Sequence, residues 1–125
     1  MDLNKYEYVL ASGSPRRKQL LEMIGLNFEV KIPEIEEVVK KGEAPFDFVR
    51  RVSVEKGLNI KKEYDIKRKV IISSDTIVLI DNKIIGKPKT RDNAREMLRL
   101  LSGNVHKVIT GLSLIYNNKK NIIIQ

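Results

Sequence analysis

A short polar segment that joins an apolar, strand-like run to a helix-like run constrains the fold of this chain more than any other feature. It reads Ser12-Gly13-Ser14-Pro15-Arg16-Arg17. Ser14 is a favourable N-cap and Pro15 a favourable first helical residue, so a helix is predicted to begin at Pro15. Arg16 and Arg17 then fall in the first turn, where the helix dipole disfavours cations. A bound phosphate would compensate, because helix N–H groups and guanidiniums both bind anions. The segment predicts a phosphate-binding loop, with a solvated pair of surface arginines as the alternative.

The composition limits the class of protein. The chain has 125 residues, of which 42% are hydrophobic, and this suffices for about one domain with a modest core. No stretch is long and apolar enough for a membrane span or a secretion signal, so we expect a soluble, cytoplasmic protein without membrane contact. With no cysteine and one histidine, a metal site would need oxygen ligands and a hard cation. The net charge of +8 suits nucleotides, nucleic acid and other polyanions equally.

Strand-like and helix-like runs alternate along the chain, which predicts an α/β layer fold. We expect strands at 8–11, 28–32, 70–72, 76–80, 83–85, 105–116 and 122–124, and helices at 15–24, 45–62 and 90–103. In the third helix the apolar residues are expected to face the core: Ala94, Met97, Leu98 and Leu101. No repeat, low-complexity tract or linker divides the sequence, so residues 1–125 are predicted to form a single domain.

Polar residues interrupt this pattern at three places. Asp75 interrupts an apolar strand, so it either lies at a strand end or is buried, where an unpaired carboxylate is costly. Asp75 is either a catalytic or metal-binding residue or an ordinary turn residue, and the sequence leaves both interpretations open. Lys87 lies between Gly86 and Pro88, which suits a directed lysine or an ordinary loop. A short acidic stretch could hold a divalent cation or form a solvated loop: Glu34, Glu36 and Glu37.

These motifs together resemble the Maf family of nucleotide pyrophosphatases, once described as septum formation inhibitors. The motifs follow the family's order and spacing across nearly the whole chain: Leu10-Ala11-Ser12-Gly13-Ser14-Pro15-Arg16-Arg17, Ile35-Glu36-Glu37, Glu55-Lys56, Ser74-Asp75-Thr76-Ile77-Val78, Gly86-Lys87-Pro88 and Leu101-Ser102-Gly103-Asn104-Val105-His106-Lys107-Val108. The first motif is highly specific, and the series is more so. The resemblance implies a mixed, twisted sheet with flanking helices, similar to that of inosine triphosphate pyrophosphatases.

The resemblance also implies a reaction: hydrolysis of a nucleoside triphosphate between its α- and β-phosphates, with Mg²⁺ or Mn²⁺ as cofactor. The implied catalytic residues are Asp75, Glu37, Lys56 and Lys87. The lysines would neutralise the triphosphate, while the two carboxylates would hold the cation or activate water. The implied substrate-binding residues are Ser12, Ser14, Arg16, Arg17 and Thr76. The Ser-Pro-Arg-Arg sequence resembles that of the family branch that acts on dTTP and UTP.

The resemblance stops at Gln125, whereas family members continue with elements that complete the cleft. We therefore expect a truncated domain with reduced activity, which favours a homodimer. Two other functions stay open: a nucleotide- or nucleic-acid-binding module without catalysis, and a regulatory interaction protein of septum formation. Only 6% of the residues are aromatic, so a surface that stacks single-stranded nucleic acid is not expected. The predicted partners are a nucleoside triphosphate and a second copy of the chain.

Overall fold

Six strands form one mixed sheet, accompanied by three helices, in the computed structural model, which describes residues 5–86, 90–117 and 119–124. The elements in chain order are β1 (Glu7–Ala11), α1 (Pro15–Met23), β2 (Phe28–Lys31), α2 (Pro45–Glu63), β3 (Lys69–Ile80), β4 (Lys83–Ile85), α3 (Arg91–Leu101), β5 (His106–Tyr116) and β6 (Lys119–Ile124). The α/β class predicted from the sequence is confirmed.

Strand β3 is the centre of the sheet. The strand order is β2-β1-β3-β5-β6, with β4 paired to β3. Strand β1 runs parallel to both β2 and β3, whereas β4 and β5 run antiparallel to β3. The pairing with β1 ends at Ile72, but β5 continues beside β3 as far as Ile80. Residues just after Ile72 therefore lie beyond the carboxyl end of β1, the edge of a sheet where α/β proteins commonly place their sites.

The polar residues around Asp75 do not break this strand. Asp75 lies opposite Gly111 of β5 within an uninterrupted ladder, and only 6% of its surface is exposed. Of the two alternatives that the sequence left open, burial is the correct one. The neighbouring strand satisfies the backbone, so the polar side chains need not form a turn.

Helix α2 covers one face of the sheet and packs on two apolar clusters. One cluster contains Phe48, Val49, Val52, Ile77, Leu79 and Ile109, and the other contains Val9, Ala11, Ile60, Ile71 and Ile115. On α2, β3 and β5 alike, small residues stand between the two clusters: Ser53, Gly57, Ser73, Gly111 and Ser113. The helix approaches the sheet closely along this band of small residues, where Gly111 lies opposite Asp75, because Cβ atoms at Gly57 and Gly111 would lie 2.8 and 2.6 Å from their nearest neighbours.

We expect Gly111→Ala to lower the free energy of unfolding by about 1–3 kcal/mol, because it overpacks this contact. A Cβ atom at Gly111 would lie 2.6 Å from Val49 Cγ1 and 3.1 Å from the Val49 carbonyl oxygen. Gly86→Ala is the control, since a Cβ atom there meets no described atom within 4 Å. Urea denaturation measures both, and equal stabilities would contradict the close approach.

The two other helices begin as predicted but bury little. The Thr90 hydroxyl accepts a hydrogen bond from the Asn93 amide at 3.0 Å and caps α3. The expectation that α3 faces the core is wrong: none of its residues is buried, and Leu98 is 66% exposed. The reason is that α2, and not α3, covers the face of the sheet that carries both clusters. In the described part of the chain, no helix combines the length and apolar character that a membrane span requires.

Candidate active site

Arg17 links the beginning of α1 to the middle of β3. Its Nη1 atom donates to the Ser74 carbonyl oxygen at 3.3 Å, and Nη2 donates to Thr76 Oγ1 at 3.2 Å. The loop before it is held by its own serines. The Ser12 hydroxyl accepts from the Ser14 amide at 3.1 Å, and the Ser14 hydroxyl accepts from the Arg17 amide at 3.4 Å. The predicted N-cap is confirmed, and a guanidinium lies at the positive end of a helix, directed toward the sheet.

Lys56 joins three parts of the chain through one ammonium group. Its Nζ atom lies 2.7 Å from Glu37 Oε1 and 3.2 Å from Asp75 Oδ1. It also donates to the Ser74 carbonyl oxygen at 3.2 Å. The side chains of Lys56 and Asp75 are only 12% and 8% exposed, so water screens their attraction weakly. Two carboxylates from distant segments are thereby brought to the same cation.

Asp75 keeps one carboxylate oxygen without a hydrogen-bond donor. Its Oδ2 atom is buried and unpartnered among the residues that the structure describes. Burial raises the pKa of Asp75, and Lys56 opposes this shift; Glu37 raises the pKa further, while Arg17 lowers it. An acceptor atom without a donor carries a desolvation penalty that a cation or a water molecule would relieve.

The donor set fits a hard divalent cation that takes some of its ligands from the protein and the others from water and a bound anion. Glu37 and Asp75 both contact Lys56 Nζ, so their carboxylates lie near each other, and Asp75 Oδ2 has no described hydrogen-bond partner. Within the described ranges no three Asp, Glu, His or Cys side chains form a metal-binding group. Mg²⁺ commonly binds through one or two carboxylates, with water and substrate phosphates completing its shell. Two carboxylates are therefore enough for such a site when a triphosphate is bound.

Three clefts meet at Arg17. One of about 330 Å³ is lined by Ser12, Ser14, Glu37 and Lys56, and a second of about 500 Å³ by Glu37, Lys56, Asp75 and Thr76. The third, of about 730 Å³, lies against the opposite face of the sheet. Its lining combines Arg16, Thr76 and Thr110 with apolar residues: Leu10, Leu20, Leu21, Ile72 and Leu112. A charged volume thus adjoins an apolar one, the combination that a ligand with an anionic tail and a flat ring requires.

The structure brings most of the predicted site residues together around these clefts: Ser12, Ser14, Arg16, Arg17, Glu37, Lys56, Asp75 and Thr76. Lys87 lies outside the described residues. Of the acidic stretch, Glu37 is the residue whose carboxylate contacts Lys56.

Sequence reasoning missed two groups at the site. The Ser74 carbonyl oxygen accepts from both Arg17 and Lys56, and no side-chain pattern can reveal a backbone acceptor. The Thr110 hydroxyl lies 3.0 Å from that of Thr76. Only the register between β3 and β5 places these threonines opposite each other, so the signal for Thr110 is the pairing of the strands.

Solved structures with a similar fold include a nucleotide pyrophosphatase. The nucleoside-triphosphatase / dITP/XTP pyrophosphatase from Mycobacterium abscessus superposes with a TM-score of 0.58 and 16% identity, covering 95% of this chain and 70% of that one. The Ham1 protein of Staphylococcus aureus gives a TM-score of 0.58 with 14% identity, covering 94% of this chain and 68% of that one. The fold is therefore the mixed α/β fold shared with these proteins.

The chain belongs to the Maf-like protein family, whose model matches residues 7–125. It is 47% identical over 113 residues to the dTTP/UTP pyrophosphatase of Lachnoclostridium phytofermentans, covering 90% of this chain and 56% of that protein. It is 46% identical over 107 residues to the dTTP/UTP pyrophosphatase of Clostridioides difficile, covering 86% and 54%. The resemblance seen in the motifs is thus confirmed, and the chain spans about half the length of these curated relatives.

Proposed function

We propose that this chain carries the phosphate-binding and catalytic part of a nucleoside triphosphate pyrophosphatase that acts on dTTP and UTP. The single observation that carries the proposal is the ammonium of Lys56 held between Glu37 and Asp75, with the second oxygen of Asp75 left free. The choice of dTTP and UTP is supported by the names of the relatives, which are 46–47% identical to this chain.

In this proposal the cations at the site bind the triphosphate and stabilise its transition state. Arg16 and Arg17 lie in the first turn of α1, whose amides also favour anions. Phosphoryl transfer needs little covalent chemistry from the protein but much charge neutralisation, which these arginines and Lys56 supply. Water attacks the α-phosphorus, the bond to the bridging oxygen breaks, and pyrophosphate leaves. In this proposal Asp75 accepts the proton of that water as the general base.

Glu37 and Asp75 are also proposed to hold Mg²⁺ or Mn²⁺ when the nucleotide is bound. Such a cation neutralises phosphate oxygens and orients the triphosphate. The support is chemical, since both groups offer hard oxygen ligands and Asp75 Oδ2 has no other described partner. The nucleobase is proposed to occupy the apolar cleft on the opposite face, beside the hydroxyls of Thr76 and Thr110.

The proposal is tested by measuring pyrophosphate and monophosphate release from dTTP, UTP, CTP, ATP and GTP, with and without Mg²⁺. Equal amounts of the two products from dTTP and UTP, dependent on the cation, support it. Release of orthophosphate instead would show cleavage at another bond. Triphosphate binding without any product would indicate a binding module, and absence of binding would refute the proposed site.

We expect Arg16→Ala to weaken triphosphate binding by about tenfold, because a charge-assisted phosphate contact is lost. The stability of the free protein is expected to stay the same or rise slightly, since the variant removes a cation from the positive end of a helix. Arg91→Ala is the matched control, because Arg91 is an exposed arginine in the first turn of α3. Calorimetric titration and thermal melts decide the question, and a destabilised variant with unchanged affinity would make Arg16 structural.

A homodimer and a cytoplasmic location stay predictions from the sequence. Sedimentation analysis of the purified chain tests the first, and fractionation of cells that express it tests the second. The proposal needs no nucleic-acid partner, and competition between dTTP and single-stranded DNA measures whether one is bound.

A further inference from the structure

Glu37 lies in a long irregular segment, residues 32–44, which joins β2 to α2 without helix or strand. Irregular segments of this length are usually mobile unless side chains anchor them. A carboxylate that must stay beside Asp75 therefore needs an anchor close to it in the chain. The structure shows such an anchor on α2, at Arg51.

Arg51 contacts the segment at two points. Its Nε and Nη2 atoms lie 2.8 and 2.9 Å from the two carboxylate oxygens of Glu43, which makes a bidentate pair. Nη2 also donates to the carbonyl oxygen of Val38 at 2.8 Å. Val38 directly follows Glu37, so this hydrogen bond fixes the backbone next to the proposed metal ligand. Glu43 Oε1 in turn accepts from the Lys40 amide at 3.1 Å, which closes the segment on itself.

Further contacts hold the Arg51 guanidinium in place. Arg51 Nη1 lies 3.1 Å from Glu55 Oε2, and the guanidinium carbon lies 5.5 Å from the centre of the Phe48 ring. The side chains of Arg51 and Glu43 are 19% and 11% exposed. The hydrogen bonds from Arg51 hold the pKa of Glu43 at about 2, so the pair stays charged at neutral pH. A planar, bidentate contact restricts orientation as well as distance, which a lysine could not do.

Helix α2 thus holds both the backbone next to Glu37 and the Glu37 side chain. Arg51 holds the backbone beside Glu37, and Lys56, on the same helix, contacts the Glu37 carboxylate at 2.7 Å. The band of small residues keeps this helix against β3, which carries Asp75. Helix, irregular segment and strand are therefore connected through contacts that all converge on the space between Glu37 and Asp75.

We propose that Arg51 is a positioning residue that, through Glu43 and the Val38 carbonyl, fixes Glu37 beside Asp75 for binding of the cation and triphosphate. This inference rests on the proposed function, because Glu37 is a cation ligand only in that proposal. Arg51 contacts no ligand itself and acts through Glu37, whereas a residue that only stabilises the fold would affect binding with or without Glu37.

A double-mutant cycle on the 125-residue chain separates these possibilities. The measured quantity is the affinity for Mn²⁺ together with α,β-methylene-dTTP, a probe that cannot be cleaved at the α–β position, followed by electron paramagnetic resonance. We expect Arg51→Met to weaken binding by about tenfold, the range for losing a partner that orients a ligand. In a Glu37→Gln background the same substitution should change the affinity by less than about twofold, because the group it orients is already lost.

The controls keep the test decisive. Arg50→Met removes the same charge from an exposed neighbouring position of α2, so it reports the effect of net charge alone. Arg51→Lys keeps the charge without the bidentate geometry and should bind nearly as weakly as Arg51→Met. Glu43→Gln should weaken binding in the same direction, and it serves as the first arm of the cycle if Arg51→Met does not fold, as judged by circular dichroism.

Each possible result of the double-mutant cycle leads to a different conclusion. A tenfold effect that disappears in the Glu37→Gln background supports the positioning role. Equal effects in both backgrounds overturn it and leave the proposed function standing. If Glu37→Gln itself binds the probe normally, the proposed role of Glu37 fails, and the positioning role fails with it.

Discussion

The Asp75→Asn variant is expected to lose hydrolysis by at least about a hundredfold, the lower bound for removing a general base, while its affinity for triphosphate in the absence of a divalent cation stays near the original value. The amide keeps the shape of the side chain but accepts no proton and offers no full negative charge to a cation. Single-turnover measurement of pyrophosphate release, combined with titration of the same variant, checks both parts. Turnover equal to that of the exposed control Asp65→Asn would remove Asp75 from the mechanism.

The same substitution should leave stability unchanged or improved at neutral pH. The pKa of Asp75 is raised by burial from its ordinary value of 3.8, so the folded protein holds this proton more tightly than the unfolded chain. That contribution is complete below pH 3.8 and is lost as the pH rises through the raised pKa. Because an asparagine side chain cannot titrate, the melting temperature of Asp75→Asn relative to the original protein should increase across this interval. A decrease would contradict the burial cost assigned to the carboxylate.

Lys56→Met should lower the free energy of unfolding by about 3 kcal/mol at neutral pH, because removing one partner of a buried ion pair leaves an uncompensated charge. Glu37 and Asp75 would then be left near each other without their shared cation. The loss should shrink at low pH, where Asp75 is protonated, and in the double variant with Asp75→Asn. Urea denaturation at several pH values measures these differences.

Lys62→Met provides the control for Lys56→Met, since Lys62 is an exposed lysine of the same helix. Added Mg²⁺ should restore part of the stability of Lys56→Met, because a cation held by the two carboxylates replaces the missing charge. A loss no larger than that of Lys62→Met would show that Lys56 does not hold the carboxylates together. A loss unaffected by Mg²⁺ would argue against a metal site at Glu37 and Asp75.

Local rules were sufficient to predict the elements that depend on neighbouring residues. Ser14 and Pro15 predict where α1 begins, and the Asp81-Asn82 turn has positive φ angles of 50° and 62°, as a tight hairpin requires. The continuity of β3 through Asp75 was not predictable in this way. It depends on pairing with β5, a contact between residues far apart in the sequence.

For the site, too, the sequence predicts residues but not the contacts between distant parts of the chain. Residue types and motif order predicted Arg17, Glu37, Lys56 and Asp75 as site residues, but not which of them touch. The contact between Lys56 and Asp75 depends on how close α2 lies to the sheet, and the anchoring by Arg51 depends on the path of an irregular segment. Amphipathic spacing was misleading for α3, because periodicity shows that a helix has an apolar face and cannot say whether anything covers that face.

The band of small residues between α2 and the sheet has a consequence for the entropy of the site. Glycine loses no side-chain rotamer freedom on folding, and serine little, so this contact is formed at almost no side-chain entropy cost. Large apolar side chains could rearrange into alternative rotamers, whereas glycine at positions 57 and 111 has none to adopt. The distance from Lys56 to Asp75 therefore depends on how closely Gly57 and Gly111 let α2 and the sheet approach each other. Substitution is most restricted at Gly111, where a Cβ atom would meet Val49 Cγ1 and the Val49 carbonyl oxygen, because moving α2 outward would separate Lys56 from Asp75.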